Sequence, residues 1–459
     1  MVARQRPYSL LLIVLLAGLA VPFLTRERTE WDHVFVAAAD RLLAGEDLYK
    51  QPTGYTYPPF QAMFAAPVAG WPQSVQRGVW FAVNALCLAW LLRAAWRLAG
   101  DGPLQVRRDY PEHLACWLGL GVGLCFLLNA LAHQQTDILL AALVVGGIER
   151  LVHNQPVRAA TFFGLASAMK CTPLLFVPYL LIRYKPFAAG WLVTVALGAS
   201  LLPDLVARPA TGGTWLGRWS AEYLEPMARP DYTPGVWASE IIYNQSLVGL
   251  TNRWATTTWE AVGGKVVVQP VLPATTPGEM KGWLLAAALV CGGLALVGMR
   301  LARRRSDQTA VTVWECGMVV AGMLLFSPMS SPAHFGLLLL PGFALARAAV
   351  VHCRAWAWPV LAVALAGALL TNKDLWGDLV YTVGLWYGAA TLTAVACLFG
   401  CVCALVIKPV EPPAMATIRS QRGGHFWMRI PVRDIPSTEP DRSLVAQSYH
   451  DSSEPETTP

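Results

Sequence analysis

The chain is 459 residues long, 55% hydrophobic and only 14% charged, with a formal net charge of +6 and a mean hydropathy of +0.43. Soluble domains carry about 25% charged residues, so the composition excludes an ordinary soluble protein and points to an all-α polytopic membrane protein. Apolar runs reaching the roughly 17 to 25 residues that cross a bilayer recur as far as Ile407, which predicts about 10 to 12 membrane segments in one domain over 1–410.

The first run, Tyr8 to Leu24, follows Arg4 and Arg6. Gly18-Leu19-Ala20 offers the small residues of a signal cleavage site, but Pro22 follows directly, and an uncleaved first helix is expected. The first outer loop, 25–57, opens on Asp32 and an amphipathic segment in which Val34, Phe35, Ala38, Leu42 and Leu43 share one face at helical spacing, ending at Gly45. This segment should lie along the membrane surface. Tyr55, Tyr57 and Pro58-Pro59-Phe60 then re-enter the membrane, and Pro58 to Trp71 is too short to span at about 1.5 Å per residue.

Further apolar segments run over Ser74–Leu92, His113–Leu131, Thr136–Val152, Ala159–Ile182, Phe187–Val206, Met280–Met299, Val311–Phe326, Phe335–Val350, Trp356–Leu370 and Leu379–Ile407. The run from Ala159 is interrupted by Lys170, Thr172 and Pro173, which predicts a broken element of the kind tolerated where protein or a water-filled cavity surrounds the backbone. Basic residues collect in one set of connections: Arg93 to Arg108, Arg150 and Arg158, Arg183 and Lys185, Arg300 to Arg305, Arg347 and Arg354. The positive-inside rule makes these cytoplasmic. The opposite set, including 25–57, Ala132–Gln135, the long outer loop 207–279 and Ser327–His334, holds nearly all the polar residues with chemical potential.

The tail, 411–459, is rich in Pro, Ser and Glu and should be a disordered cytoplasmic extension. Its five Arg and seven acidic residues leave a net +8 on the membrane body, which suits anionic membrane lipids or phosphate-bearing substrates, although positive-inside loops alone account for it. Ten cysteines lie in or beside apolar segments without metal-ligand spacing and read as core residues. No GxxxxGK[ST] loop and no strand-linked GxGxxG is present, so neither a nucleotide donor nor nucleic acid is expected.

Six residues stand out as candidates. Asp32 has two readings, an N-cap that accepts first-turn amides and a catalytic carboxylate. Tyr57 is either an interfacial anchor or part of a site. Gln135 lies in the turn His133-Gln134-Gln135-Thr136-Asp137, where Asp137 is a costly membrane carboxylate or a solvated hairpin tip. Lys170 is well placed for a phosphate or sugar hydroxyls, or else snorkels. Asn244, in Tyr243-Asn244-Gln245-Ser246, suits hydroxyl recognition and formally fits a glycosylation sequon. His334 ends Ser327-Pro328-Met329-Ser330-Ser331-Pro332-Ala333-His334 as an acid, base or donor to a phosphate, or an ordinary loop histidine.

Asp32 with LLAGEDLY (42–49), TYPPF (56–60), the turn near Gln135, AMKCTPLLFVPYLL around Lys170, the Asn244 element and the turn ending at His334 together resemble glycosyltransferase family 87, the polyprenyl-phosphate-mannose-dependent α-mannosyltransferases and their relatives. The resemblance spans roughly Trp31 to Pro341. It implies a GT-C membrane fold in the plasma membrane with its site at the non-cytoplasmic face. It also implies a polyprenyl-phosphate sugar donor, a lipid or glycan acceptor, and an Asp in the first outer loop as base, a role that falls on Asp32. The chain departs from its relatives in Ser331-Pro332-Ala333, where an aromatic residue often precedes the histidine. A lipid-phosphate leaving group departs as a stable anion, so one base for the acceptor hydroxyl suffices, unlike the two carboxyl groups of a glycoside hydrolase. Lys170 and His334 are then candidates to stabilise the departing phosphate. No acidic cluster such as DxD calls for a metal, and no cofactor is expected. A lipid-linked glycan polymerase or ligase and a polytopic transporter are the competing readings.

Overall fold

The computed structural model describes residues 18–26, 29–49, 54–100, 110–235, 241–262, 265–271 and 275–407. They belong to one compact unit, Met1–Lys408. The expectations for residues 8–17 of the first run and for the tail 411–459 lie outside the described residues; within that run, residues 18–25 are helical.

Helices account for almost all of the described architecture. They are α1 (Ala37–Ala44), α2 (Gln73–Ala99), α3 (Tyr110–Ala132), α4 (Asp137–Val152), α5 (Pro156–Met169), α6 (Phe176–Ile182), α7 (Pro186–Leu201), α8 (Leu247–Thr256), α9 (Pro277–Ala302), α10 (Gln308–Leu325), α11 (Leu339–Val350), α12 (Ala357–Leu370), α13 (Lys373–Trp386) and α14 (Ala389–Val406). Among the described residues, seven helical stretches are long and apolar enough to cross a membrane. The chain is therefore an all-α polytopic membrane protein.

Local chemistry explains where these helices start and stop. Proline occupies the first helical turn of α5, α7 and α9, where its missing N–H costs nothing. At the far end of α5 the helix stops at Lys170, which is extended (φ −156°, ψ 117°), because Pro173 cannot donate the amide that would continue the ladder. A 3₁₀ turn, Thr172–Leu175, then leads into α6. The expected break is thus observed, as is the short entry after Tyr57, which forms 3₁₀ turns over Pro59–Phe64 and Ala66–Val68.

Two sequence readings need correction. The run Leu379–Ile407 is two helices, because Gly388 adopts φ 82° and ends the alignment of α13 with α14. In the first loop Phe35, Ala38 and Leu42 are buried, but Leu43 is 48% exposed. A six-residue π-helical stretch, Trp31–Val36, precedes α1 and changes the phase of the face. The long loop also contains one antiparallel hairpin, Thr257–Val262 with Lys265–Pro270, in the register Thr257↔Pro270. Gly263-Gly264 between runs rich in Thr and Val is the corresponding sequence signal.

The core centres on α11 and the 3₁₀ turn before it: the central window of Pro332–Val350 is 89% buried, against 11% for α9 at the periphery. α3 packs on α11, α5 on α7, and α14 on both α10 and α12. At the α3–α11 contact a Cβ added to Gly119 would lie 2.8 Å from the Phe343 Cα, so only glycine permits this approach.

Candidate active site

Four chain segments meet at one end of the bundle. Arg26 donates to the Ala132 carbonyl (2.8 Å) and Glu30 N–H to the His133 carbonyl (3.3 Å), fastening the first loop to the α3–α4 turn. Gln61 Nε2 donates to Thr136 Oγ1 at 2.6 Å, adding the 3₁₀ entry to the same junction. Gln134, at φ 55°, donates to the Phe23 carbonyl and accepts from Trp80 Nε1 at 3.0 Å. The turn is thereby held on both sides.

Asp137, the first residue of α4, lies at the centre and is buried. Lys170 Nζ approaches its Oδ1 at 3.5 Å, and His334 Nε2 the same oxygen at 3.6 Å. Oδ2 is buried and accepts no hydrogen bond from any of the described residues. His334 Nδ1 accepts from the Ser331 N–H at 3.0 Å. A nitrogen that accepts carries no proton, so the remaining Nε2 is the N–H of a neutral ring and faces Asp137. The break after α5 delivers Lys170 to this point, with its ammonium 6.0 Å from the centroid of Tyr57.

Glu30 completes the cluster, and the sequence reading did not select it. Its Oε1 accepts from Gln135 Nε2 at 2.6 Å. Burial raises the Glu30 carboxyl to about 7 from the ordinary 4.5; the Gln135 hydrogen bond lowers it, the Asp137 charge raises it further, and Lys170 partly offsets this. The signal that points to Glu30 is the pattern Thr29-Glu30-Trp31-Asp32, a [ST]-x-x-[DE] capping box. Asp32 N–H donates to Thr29 Oγ1 (3.4 Å), and the Thr29 hydroxyl donates back to Asp32 Oδ2 (2.8 Å). Asp32 therefore sits inside the first turn and is not the N-cap.

The remainder of the Asp32 carboxylate is held by α2. Arg77 Nε donates to Oδ2 at 3.0 Å and Nη2 to the same oxygen at 2.5 Å, while Nη1 reaches the Leu24 carbonyl at 2.9 Å. Trp31 stacks on Trp80 of the same helix with ring centroids 4.4 Å apart. Two residues apart on a helix, Glu30 and Asp32 project in nearly opposite directions. One meets the polar cluster and the other the α2 arginine.

Of the six sequence candidates, the structure brings Gln135, Lys170, His334 and Tyr57 to the cluster, with Asp137. It does not bring Asp32, which is engaged by Arg77. Asn244 is a fastener: its Nδ2 donates to the carbonyls of Pro328 (2.8 Å) and Gly235 (3.4 Å), and its Oδ1 accepts from Ser246 Oγ (2.9 Å) and Ser330 N–H (3.2 Å). With Gln245 N–H donating to the Ser330 carbonyl at 2.7 Å, it pins the long loop to the turn that carries His334. Among the described residues, no group of three or more His, Cys, Asp or Glu is arranged to hold a metal ion.

The arrangement combines a carboxyl group that titrates near neutrality, an amine, an imidazole N–H and the positive end of α4. Such a set can take a proton from a hydroxyl and stabilise developing negative charge. Fold and cluster together define a polytopic membrane enzyme whose polar site is walled by helices. The family model of Glycosyltransferase family 87 matches residues 55–328, more than half of the chain, and the chain belongs to that family. The matched stretch contains Tyr57, Gln135, Asp137, Lys170 and Asn244, whereas Glu30, Asp32 and His334 lie outside it. No curated protein matches the chain. It is accordingly a membrane glycosyltransferase.

Proposed function

We propose that the protein moves a hexose, mannose by the family resemblance, from a polyprenyl-phosphate donor to a hydroxyl of a lipid or glycan acceptor. The site then faces the non-cytoplasmic side of the plasma membrane, since the Arg-rich connections collect at the other end of the helices. The observation that carries the chemical reading is the Glu30 carboxyl, raised to about 7 and set beside Lys170 and Asp137. A base with its pKa near the working pH is the most effective proton acceptor.

In this mechanism the acceptor oxygen attacks the anomeric carbon as Glu30 takes the hydroxyl proton. The bond from that carbon to the phosphate oxygen breaks on the opposite face, and the configuration inverts. The departing phosphate receives hydrogen bonds from Lys170, from His334 Nε2–H and from the first-turn amides of α4. Asp137 keeps Lys170 and His334 in place before the donor arrives. Asp32 is the residue that the resemblance offers as base; with its carboxylate on Arg77 and Thr29, it instead fixes the loop that presents Glu30.

Transfer from polyprenyl-phosphate mannose by reconstituted Glu30→Gln and Asp32→Asn tests this assignment. Glu30→Gln should insert normally and lose at least about 10²-fold in turnover, with Asp32→Asn far less affected per folded molecule. The reverse ranking, with both variants folded, would return the base to Asp32.

A further inference from the structure

The opposite end of α4 holds a second polar feature. With 16 residues in α4, Asp137 and Val152 are separated by about 22 Å at 1.5 Å per residue. There a cavity of about 260 Å³ is lined by Asn154, Arg183, Lys185, Gln308, Thr309 and Thr312, with Leu151 and Val152 forming an apolar wall. The proposed glycosyl transfer uses none of these residues.

The cations converge without a matching count of anions. Arg183 Nε meets Glu315 Oε2 at 3.3 Å, and its Nη2 reaches Gln308 Oε1 at 3.3 Å. Glu315 is fully buried and also accepts from Tyr179 at 3.1 Å, a single carboxylate facing the charges of both Arg183 and Arg303. Lys185 Nζ has one long contact, to Asn154 Oδ1 at 3.5 Å. Burial and then the Arg183 charge lower its amine from the usual lysine value, as expected for two like charges held together. Asp307 is turned to its own helix, accepting from Ala310 N–H at 2.9 Å. A third cation stands at the rim, where Arg303 lies 5.1 Å from the Tyr184 ring.

Neutral donors complete the lining, the Thr309 hydroxyl and the Asn154 amide, while the Thr312 hydroxyl donates to the Gln308 carbonyl at 2.8 Å. Lys185 is also the N-cap of α7, which has no side-chain cap. Immediately outside, Leu181, Tyr184 and Phe187 are 50%, 78% and 72% exposed, an apolar rim of the kind that acyl chains cover.

We propose that this cavity binds a phosphate group on Arg183 and Lys185, either the headgroup phosphate of an anionic phospholipid or free inorganic phosphate. The apolar rim favours the lipid. Basic pockets between membrane helices bind such headgroups, with each Lys or Arg contributing about 1 kcal/mol, or roughly fivefold in affinity.

The test measures the thermal midpoint of the full chain in nanodiscs of phosphatidylcholine, titrated either with phosphatidylglycerol or with inorganic phosphate. Wild type should be stabilised saturably, Lys185→Gln should need about fivefold more ligand, and Thr309→Val a smaller excess. Lys185 is half-buried with one long contact, to Asn154, so its variant should match wild type in phosphatidylcholine alone. Response to phosphatidylglycerol only identifies a lipid, and response to phosphate a free anion. Arg304→Gln removes one charge from the same end outside the cavity and should respond like wild type. The proposal is overturned if neither ligand stabilises the protein, if Lys185→Gln and Thr309→Val respond like wild type, or if Arg304→Gln loses as much as Lys185→Gln.

Discussion

Replacing Glu30 with Gln should separate activity from stability in opposite directions. The Glu30 carboxyl is raised from 4.5 to about 7, so the fold holds its proton more tightly than the unfolded chain does. Between those values the native state binds more protons than the unfolded state, and stability falls as pH rises. At 1.36 kcal/mol per unit, ionising this group costs the fold on the order of 3 kcal/mol above pH 7. Gln removes the cost, keeps the shape, and still offers a carbonyl to Gln135 Nε2, now 2.6 Å from the carboxylate. Thermal unfolding across pH 5 to 8 should therefore show wild type losing stability while Glu30→Gln stays level and melts higher at the alkaline end. Turnover of wild type should rise with pH through about 7 as the base deprotonates, and the variant should lose both the rise and at least about 10²-fold in rate. A variant that is stabilised yet fully active would refute the role of Glu30 as base. One that is neither stabilised nor slowed would refute its burial.

Other substitutions probe the supports of the site. Arg77→Met leaves the Asp32 carboxylate without its cation and should destabilise the protein by about 3 kcal/mol, with turnover per folded molecule near wild type; denaturation and active-site-normalised rates check this. Lys170→Met removes a counter-ion of Asp137, 3.5 Å away, and should lower transfer from a lipid-phosphate donor without preventing insertion, so an unchanged rate would give Lys170 a structural role only. Gly119→Val brings a side chain against the Phe343 backbone. It should cost at least the 1 to 3 kcal/mol typical of overpacking, read as lost thermal stability in detergent.

The membrane helices were legible because each is a local run of apolar residues ended by proline, glycine or charge, and the break at Lys170 was legible for the same reason. Lys170, Gln135 and His334 stood out as polar groups in apolar surroundings. The placement of Glu30 in the cluster and of Asp32 outside it was not legible, since it depends on Arg77, 45 positions from Asp32 in sequence, and on a π-helical phase that no periodicity announces. The hydrogen-bond partners of Asn244 are hidden in the sequence for a similar reason. Its partners Pro328 and Ser330 lie 84 and 86 positions away, and a polar side chain saturated by distant backbone looks in sequence like one awaiting a ligand.

Charge counting in the cluster leads to a final expectation about the donor. Lys170 and Asp137 carry opposite charges, and the His334 ring is neutral with Nδ1 accepting from Ser331. The state of Glu30 therefore sets the net charge, zero when protonated and one negative unit when ionised. Glu30 already responds to the charges on both Asp137 and Lys170, so a phosphate seated at Lys170 would act on it as well. An anion there raises the Glu30 pKa further. By linkage, donor binding should take up protons near pH 7 and weaken as pH rises, while the chemical step, which needs the ionised base, improves. Titrating a polyprenyl-phosphate sugar into the enzyme in two buffers of different ionisation enthalpy measures that uptake. Glu30→Gln should abolish it. Uptake that persists in the variant would assign the proton to another group, and none in wild type would place the phosphate away from Lys170.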